Sequence, residues 1–134
     1  MVAAVLFAQL PANGVIVKGK LIPEVVRRGK LEIGRFEVTR AQYVAWDNGY
    51  PVKPGTENLP ASGITPPQAM GYAEWLTGLT GETWRLPKED EIKGVNKLDP
   101  KVVEWVIGKD GKARLTREGD PILTGFRVVR EVKK

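Results

Sequence analysis

The sequence predicts a single α+β domain spanning residues 1–134, and three observations predict it. Period-two apolar alternation occurs near both ends of the chain, two helices in the middle each open on a threonine followed three residues later by a glutamine, and glycine-containing turns divide the last third into short strands. With 134 residues, 42% of them hydrophobic, the chain can bury one core and is too short for two.

Taken in order, Val15 to Ile22 alternates after Asn13-Gly14 and reads as one strand entered from a turn. Leu31 to Val38 reads as a second strand. It stops at Thr39, where Thr39 and Gln42 have the spacing of a capping box, and a helix is expected to about Asp47 with Tyr43 and Trp46 on one face. Asn48 to Ile64 holds Pro51, Pro54, Pro60, Gly49, Gly55 and Gly63, too many breakers for either ladder or helix. A loop of this length inside a small domain is where binding function concentrates.

Thr65-Pro66-Pro67-Gln68 repeats the capping box with proline in the first turn, where its missing donor costs nothing. Ala69, Ala73 and Leu76 then recur on one face with Tyr72 beside them, and Gly78 is the expected left-handed terminator. Thr83 to Leu86 is extended, and Pro87 opens a short third helix whose first-turn acids Glu89, Asp90 and Glu91 complement the helix dipole, ending at Gly94. The remainder reads as a meander: Val102–Ile107, a hairpin turn at Gly108–Gly111, Lys112–Thr116, a turn at Glu118–Asp120, and a last strand Ile122–Arg130 placed to pair with an early one.

Composition removes whole classes of chemistry. Without cysteine there is no disulfide framework, thiolate zinc site or thiol nucleophile, and without histidine the usual general base and the commonest transition-metal ligand are gone. No cofactor or metal is therefore expected. The net charge of +5 is spread evenly, and its longest cationic run, Arg27-Arg28-Gly29-Lys30, is too short for a nucleic-acid arm. The opening Val2-Ala3-Ala4-Val5-Leu6-Phe7-Ala8 is too short to span a bilayer. Two readings of residues 1–13 stay open: the remnant of an export signal, which would place the protein outside the cytoplasm, or an apolar segment packed on the domain.

Candidate ligand contacts cluster where the long loop begins, at Trp46, Asp47, Asn48 and Tyr50, since aromatic rings beside amide and carboxylate groups suit a sugar face or a protein hot spot. Glu89, Asp90 and Glu91 are the alternative, a carboxylate site for acid–base chemistry, but a helical first turn favours their ionised forms and a capping role. Arg85, Glu91, Glu104 and Arg127 stand among apolar neighbours, and ionisable groups persist inside only when paired, so one internal charge network is expected of these four.

Five blocks in order carry a further signal: Phe36-Glu37-Val38-Thr39 with Ala41-Gln42-Tyr43, Ala69 through Trp75-Leu76 with Gly81, Arg85-Leu86-Pro87-Lys88-Glu89-Asp90-Glu91, Val102-Val103-Glu104-Trp105, and Gly125-Phe126-Arg127. Together they resemble the formylglycine-generating enzyme family, the sulfatase-modifying-factor domains, over residues 31–130. The resemblance implies a C-type-lectin-like fold. Its departures are as specific as its matches: the oxidase activity of that family uses a cysteine pair and the related sulfoxide synthases hold iron through histidines, and this chain has neither residue. Arg40, Lys88, Ile92 and Lys101 replace the Asn, Thr, Trp and Asn of the family pattern, which puts its calcium sites in doubt. Only Lys93 to Lys101 stands where the family inserts a long substrate-shaping region, and the Asp110-Gly111 hairpin replaces its arginine-glycine-glycine segment. What the resemblance implies here is a minimal scaffold that binds a protein or glycan partner without catalysis. A structural or assembly domain, including a homodimer, is the alternative.

Overall fold

The computed structural model describes residues 14–132. The apolar run at residues 2–8 lies outside them. The described chain is α+β, with mostly antiparallel sheets and two helices. Strands β1 (Gly14–Val17) and β2 (Lys20–Pro23) pair as an antiparallel ribbon. The expected single strand over 15–22 is thus folded on itself. Lys18 and Gly19 take φ of +50° and +78°, two successive left-handed residues that form a tight hairpin turn within the alternating run.

A second hairpin, β3 (Val25–Arg28) and β4 (Leu31–Gly34), was hidden by its charge. The cationic run Arg27-Arg28-Gly29-Lys30 is the end of β3 and its turn, with Gly29 at φ +64°. The sheet order β3-β4-β9-β5 brings β9 (Val129–Glu131) and β5 (Trp84–Arg85) beside β4, so the last strand does pair with an early one. A third sheet, β7-β6-β8, is made of β6 (Val103–Ile107), β7 (Ala113–Leu115) and β8 (Thr124–Gly125), with β8 parallel to β6. The stretch expected as one strand over 122–130 is therefore divided. Pro121–Leu123 forms a 3-10 turn, and residues 126–128 cross from the third sheet to the second.

Both capping boxes form. Helix α1 (Arg40–Val44) is capped by Thr39 and Gln42, and α2 (Pro66–Thr80) by Thr65 and Gln68. Helix α1 is shorter than expected. The left-handed terminator of α2 is Gly81, φ +78°, and Gly78 lies inside the helix. The helix runs past Gly78 to Gly81, whose left-handed backbone closes it with an N–H bond to the Thr77 carbonyl, while the Thr77 and Thr80 hydroxyls bond back to the Ala73 and Leu76 carbonyls. Gly71 has a steric reason: a Cβ there would meet Trp46 Cη2 at 2.9 Å, so a side chain at that position would push the indole off the helix.

The core gathers around an aromatic cluster. Tyr72 on α2 stacks on Tyr43 of α1 at 5.8 Å, and both meet Phe126 edge-on, at 5.5 and 6.2 Å. Ala69, Ala73 and Leu76 complete the buried helix face, as their spacing requires. Val38, Ile64, Leu86 and Val128 close the core from the loops and sheets. The Tyr43 hydroxyl has no hydrogen-bond partner among the described residues. Burial first, and then the nearby Asp47 and Tyr50, push its pKa up to about 12.

Two outcomes follow for Tyr43→Phe. Removing an orphaned buried hydroxyl should stabilise the fold by about 1 kcal/mol in urea unfolding at pH 7. Because the unfolded tyrosine ionises near 10.0 and the folded one near 12, wild-type stability should also fall as pH rises through that window, and the variant should fall less.

Candidate functional site

The four loop-start candidates are largely committed inward. The Trp46 ring lies against Gly71 and meets Tyr43 and Tyr72 edge-on, at 5.6 and 6.1 Å. Tyr50 packs its ring on Tyr43 at 4.9 Å, while its hydroxyl donates to the Ser62 carbonyl and accepts from the Ser62 N–H, both at 2.9 Å. The Asp47 carboxylate accepts from the Gly49 N–H and shapes the turn, and Asn48 is exposed at its tip. These residues therefore brace the long loop. Further stitches run from the Arg40 N–H to Leu59 O, from Ala61 N–H to Val38 O and from Ile64 N–H to Thr124 O.

The four charged candidates fall into two places, not one network. Arg127 is fully buried and forms a two-pronged contact with Glu104, Nε to Oε1 at 2.7 Å and Nη2 to Oε2 at 3.0 Å. A second buried carboxylate, Glu37, stands 3.6 Å from the same guanidinium, and Lys97 approaches Glu104 at 3.3 Å. Arg127 also donates to the carbonyls of Gly34 and Asn96, and Glu37 accepts from the Leu98 N–H at 2.8 Å. The cluster thereby fastens the short segment that precedes β6 to strand β4. Neither Glu37 nor Lys97 was singled out from the sequence as a partner. Glu37 did show a signal, an acid between Phe36 and Val38 inside a strand-like run.

Arg85 and Glu91 form the other pair, with two hydrogen bonds of 2.9 and 3.0 Å at a partly exposed site. Glu131 stands 3.7 Å from Arg85 on the solvent side. Burial alone would raise the Glu91 pKa, but the Arg85 fork and the Lys88 N–H outweigh it and hold the carboxyl below its ordinary value. An acid so held is a poor proton donor near neutrality. Its neighbour Glu89 reaches Arg114 at 3.9 Å. Among the described residues no group of three or more acidic side chains is arranged to hold a metal ion, and no helix is long and apolar enough to cross a membrane.

Two concave surfaces went unnoticed in the sequence. One, about 300 Å³, lies between α2 and the β5–β6 region, walled by Met70, Ala73, Trp84, Leu86 and Ile107 and rimmed by Glu74, Arg85 and Lys88. Met70 is 38% exposed there, one position outside the buried helix stripe. The other, about 370 Å³, lies over the β3–β4 hairpin and is lined by Arg27, Arg28 and Arg35 with residues 94–96. Compared with protein-family models, with curated proteins and with solved structures, the chain has no match in any of the three.

The two ion pairs should respond differently to mutation. Arg127→Met leaves Glu37 and Glu104 buried without their main cation and should cost about 3–5 kcal/mol in urea unfolding. Arg85→Met, at a partly exposed site, should cost about 1 kcal/mol or less. Ionised Glu91 contributes stability that is present above the ordinary glutamate pKa of 4.5 and is lost as pH falls through its lowered folded value. The stability gap between wild type and Glu91→Gln should accordingly be widest near pH 7, narrow as pH falls below 4.5, and close only once the folded carboxyl is protonated.

Proposed function

We propose that this chain is a non-catalytic recognition module on a formylglycine-generating-enzyme-like, and hence C-type-lectin-like, scaffold, and that it binds a protein partner through the cleft beside α2. Support for the scaffold comes from where the motif residues meet. Glu37 of the first block, Glu104 of the fourth and Arg127 of the last share one buried cluster. Tyr43, Tyr72 and Phe126 of the first, second and last share one aromatic cluster. A common framework needs such convergence, whereas unrelated short matches have no reason to touch.

The observation that carries the binding reading is the cleft itself, an apolar floor of Trp84, Leu86 and Ile107 with exposed Met70 at its lip and Glu74, Arg85 and Lys88 around it. An apolar floor inside a polar rim suits an anchoring side chain of a protein or peptide. A glycan would call for an open aromatic face, and the Trp46 and Tyr50 rings are taken up by Tyr43, Tyr72 and Gly71. Because its walls are helix α2 and strands fixed by the Trp84 N–H bond to the Thr77 hydroxyl and the Ile107 N–H bond to the Pro87 carbonyl, the cleft gives up little entropy on binding. Assembly is the second reading, favoured by Val15 and Ile16 on β1, which are 45% and 67% exposed.

Selection of a displayed random peptide library on the wild-type domain should enrich sequences with one large apolar anchor. Met70→Glu should weaken those peptides at least about tenfold, or about 1.4 kcal/mol, without lowering the melting temperature, since the side chain is already partly exposed. Peptides that bind both proteins equally would remove the cleft. A dimer that persists on dilution in gel filtration and is broken by Ile16→Lys would favour assembly instead.

A further inference from the structure

We infer that the apolar cleft is one end of a longer groove whose partner segment carries an acidic side chain a few residues from its apolar anchor, a refinement that rests on reading the apolar cleft as a binding site. A second cleft, about 670 Å³, lies beside the first and shares two of its walls, Lys88 and Ile107. Its other walls are Glu89 and Asp90 of the 3-10 turn Glu89–Ile92, Lys93 just after that turn, and Gly108, Lys109 and Gly111 between β6 and β7. Because Lys88 and Ile107 belong to both clefts, a chain that crosses this strip occupies both.

The two ends differ in charge. At the first, Glu74 is an acid on the rim, and Arg85 beside it is answered by Glu91 and Glu131. At the second stand three exposed lysines, Lys88, Lys93 and Lys109. None of the three takes part in an ion pair among the described residues. Lys88 does lie near enough to Glu91 to favour its ionised form, so the side chains of Lys93 and Lys109 are the two left uncommitted. Of the two acids in this cleft, Glu89 reaches Arg114 at 3.9 Å, a cation that lines neither cleft, which leaves Asp90 against the lysines. Surplus positive charge at one end of an apolar groove is complemented by a carboxylate on the segment that fills it, and it sets which way that segment lies.

The strip between the clefts is fixed before anything binds. Ile107 N–H donates to the Pro87 carbonyl at 2.9 Å and Lys88 N–H to the Glu91 carboxylate at 2.7 Å. The β6–β7 turn is closed by Gly108 N–H to Lys112 O at 2.9 Å and Gly111 N–H to Gly108 O at 3.0 Å. With the backbone held, only the lysine side chains are ordered on binding. A free anion or a nucleic acid would meet the cations and leave the apolar end empty, whereas a segment with both an anchor and an acid fills the groove.

The test begins with the displayed random peptide library on the full chain and continues with synthetic peptides in fluorescence anisotropy at low salt. Enriched peptides should carry Asp or Glu within a few residues of the anchor, and always on the same side of it. Replacing that acid by its amide should weaken binding about three- to tenfold, the range that exposed charge contacts supply. Lys93→Gln/Lys109→Gln should weaken the acidic peptide by the same factor, leave the amide peptide unchanged and keep the melting temperature, whereas Met70→Glu should weaken both peptides. Lys53→Gln/Lys101→Gln, which removes two exposed lysines that line neither cleft, should change nothing. Anchored peptides with no preference for an acid, or an equal loss in both lysine variants, would overturn the acidic end and leave the apolar cleft standing. Failure to enrich any anchored peptide would overturn both.

Discussion

Arg127 lies fully buried with one carboxylate on its flank and another close by, and the rest of the molecule is arranged around keeping it satisfied. A guanidinium taken out of water costs several kcal/mol, and that cost is offset only when charge and hydrogen bonds are both supplied. Glu104 supplies the charge from β6 and Glu37 adds to it from the turn after β4. The carbonyls of Gly34, Arg35 and Asn96 supply the acceptors. Those partners come from three separate stretches of chain, residues 34–37, Asn96 and Glu104, so one side chain ties the second sheet, the third sheet and the segment between them. Losing any one of these contacts would loosen all three.

The aromatic cluster does the same for the helices. Tyr43, Tyr72 and Phe126 bring α1, α2 and the crossover between β8 and β9 into one contact, and Trp46 and Tyr50 extend it to the long loop. A 17-residue stretch of prolines and glycines, Asn48 to Ile64, is thereby held without helix or ladder of its own. Tyr50 clamps it at Ser62, and backbone bonds tie it to α1 and to β8. The two clusters meet at adjacent residues, Phe126 and Arg127, whose side chains serve the aromatic core and the charged core respectively.

Two clefts lie beside these clusters. The aromatic side faces a cleft with an apolar floor, and the charged side faces a cleft rimmed by arginines. Each rests on buried side chains: Trp84 and Leu86 form the floor of the first, and Arg127 lies beneath the second. A fold that spends its internal charges on its own walls presents rigid surfaces, and rigid surfaces bind at low entropic cost.

Local chemistry was legible in the sequence. Both capping boxes, the buried face of α2, the β6–β7 hairpin and the broken stretch between the helices depend on residues a few positions apart, and they formed as their spacing required. Misreadings arose where a local signal had two solutions. Alternation over 15–22 continues unchanged across a two-residue turn, and either Gly78 or Gly81 could have ended α2. Tertiary structure alone decided which acids Arg127 meets, that Tyr50 turns inward to Ser62, and that Arg27 and Arg35 share a cleft with residues 94–96. Those pairings join positions roughly 20 to 90 residues apart, or turn on which way one ring points, and no periodicity or motif encodes a partner at that range. They are settled by the cost of leaving a buried charge or hydroxyl unsatisfied, which exists only once the chain has closed around it.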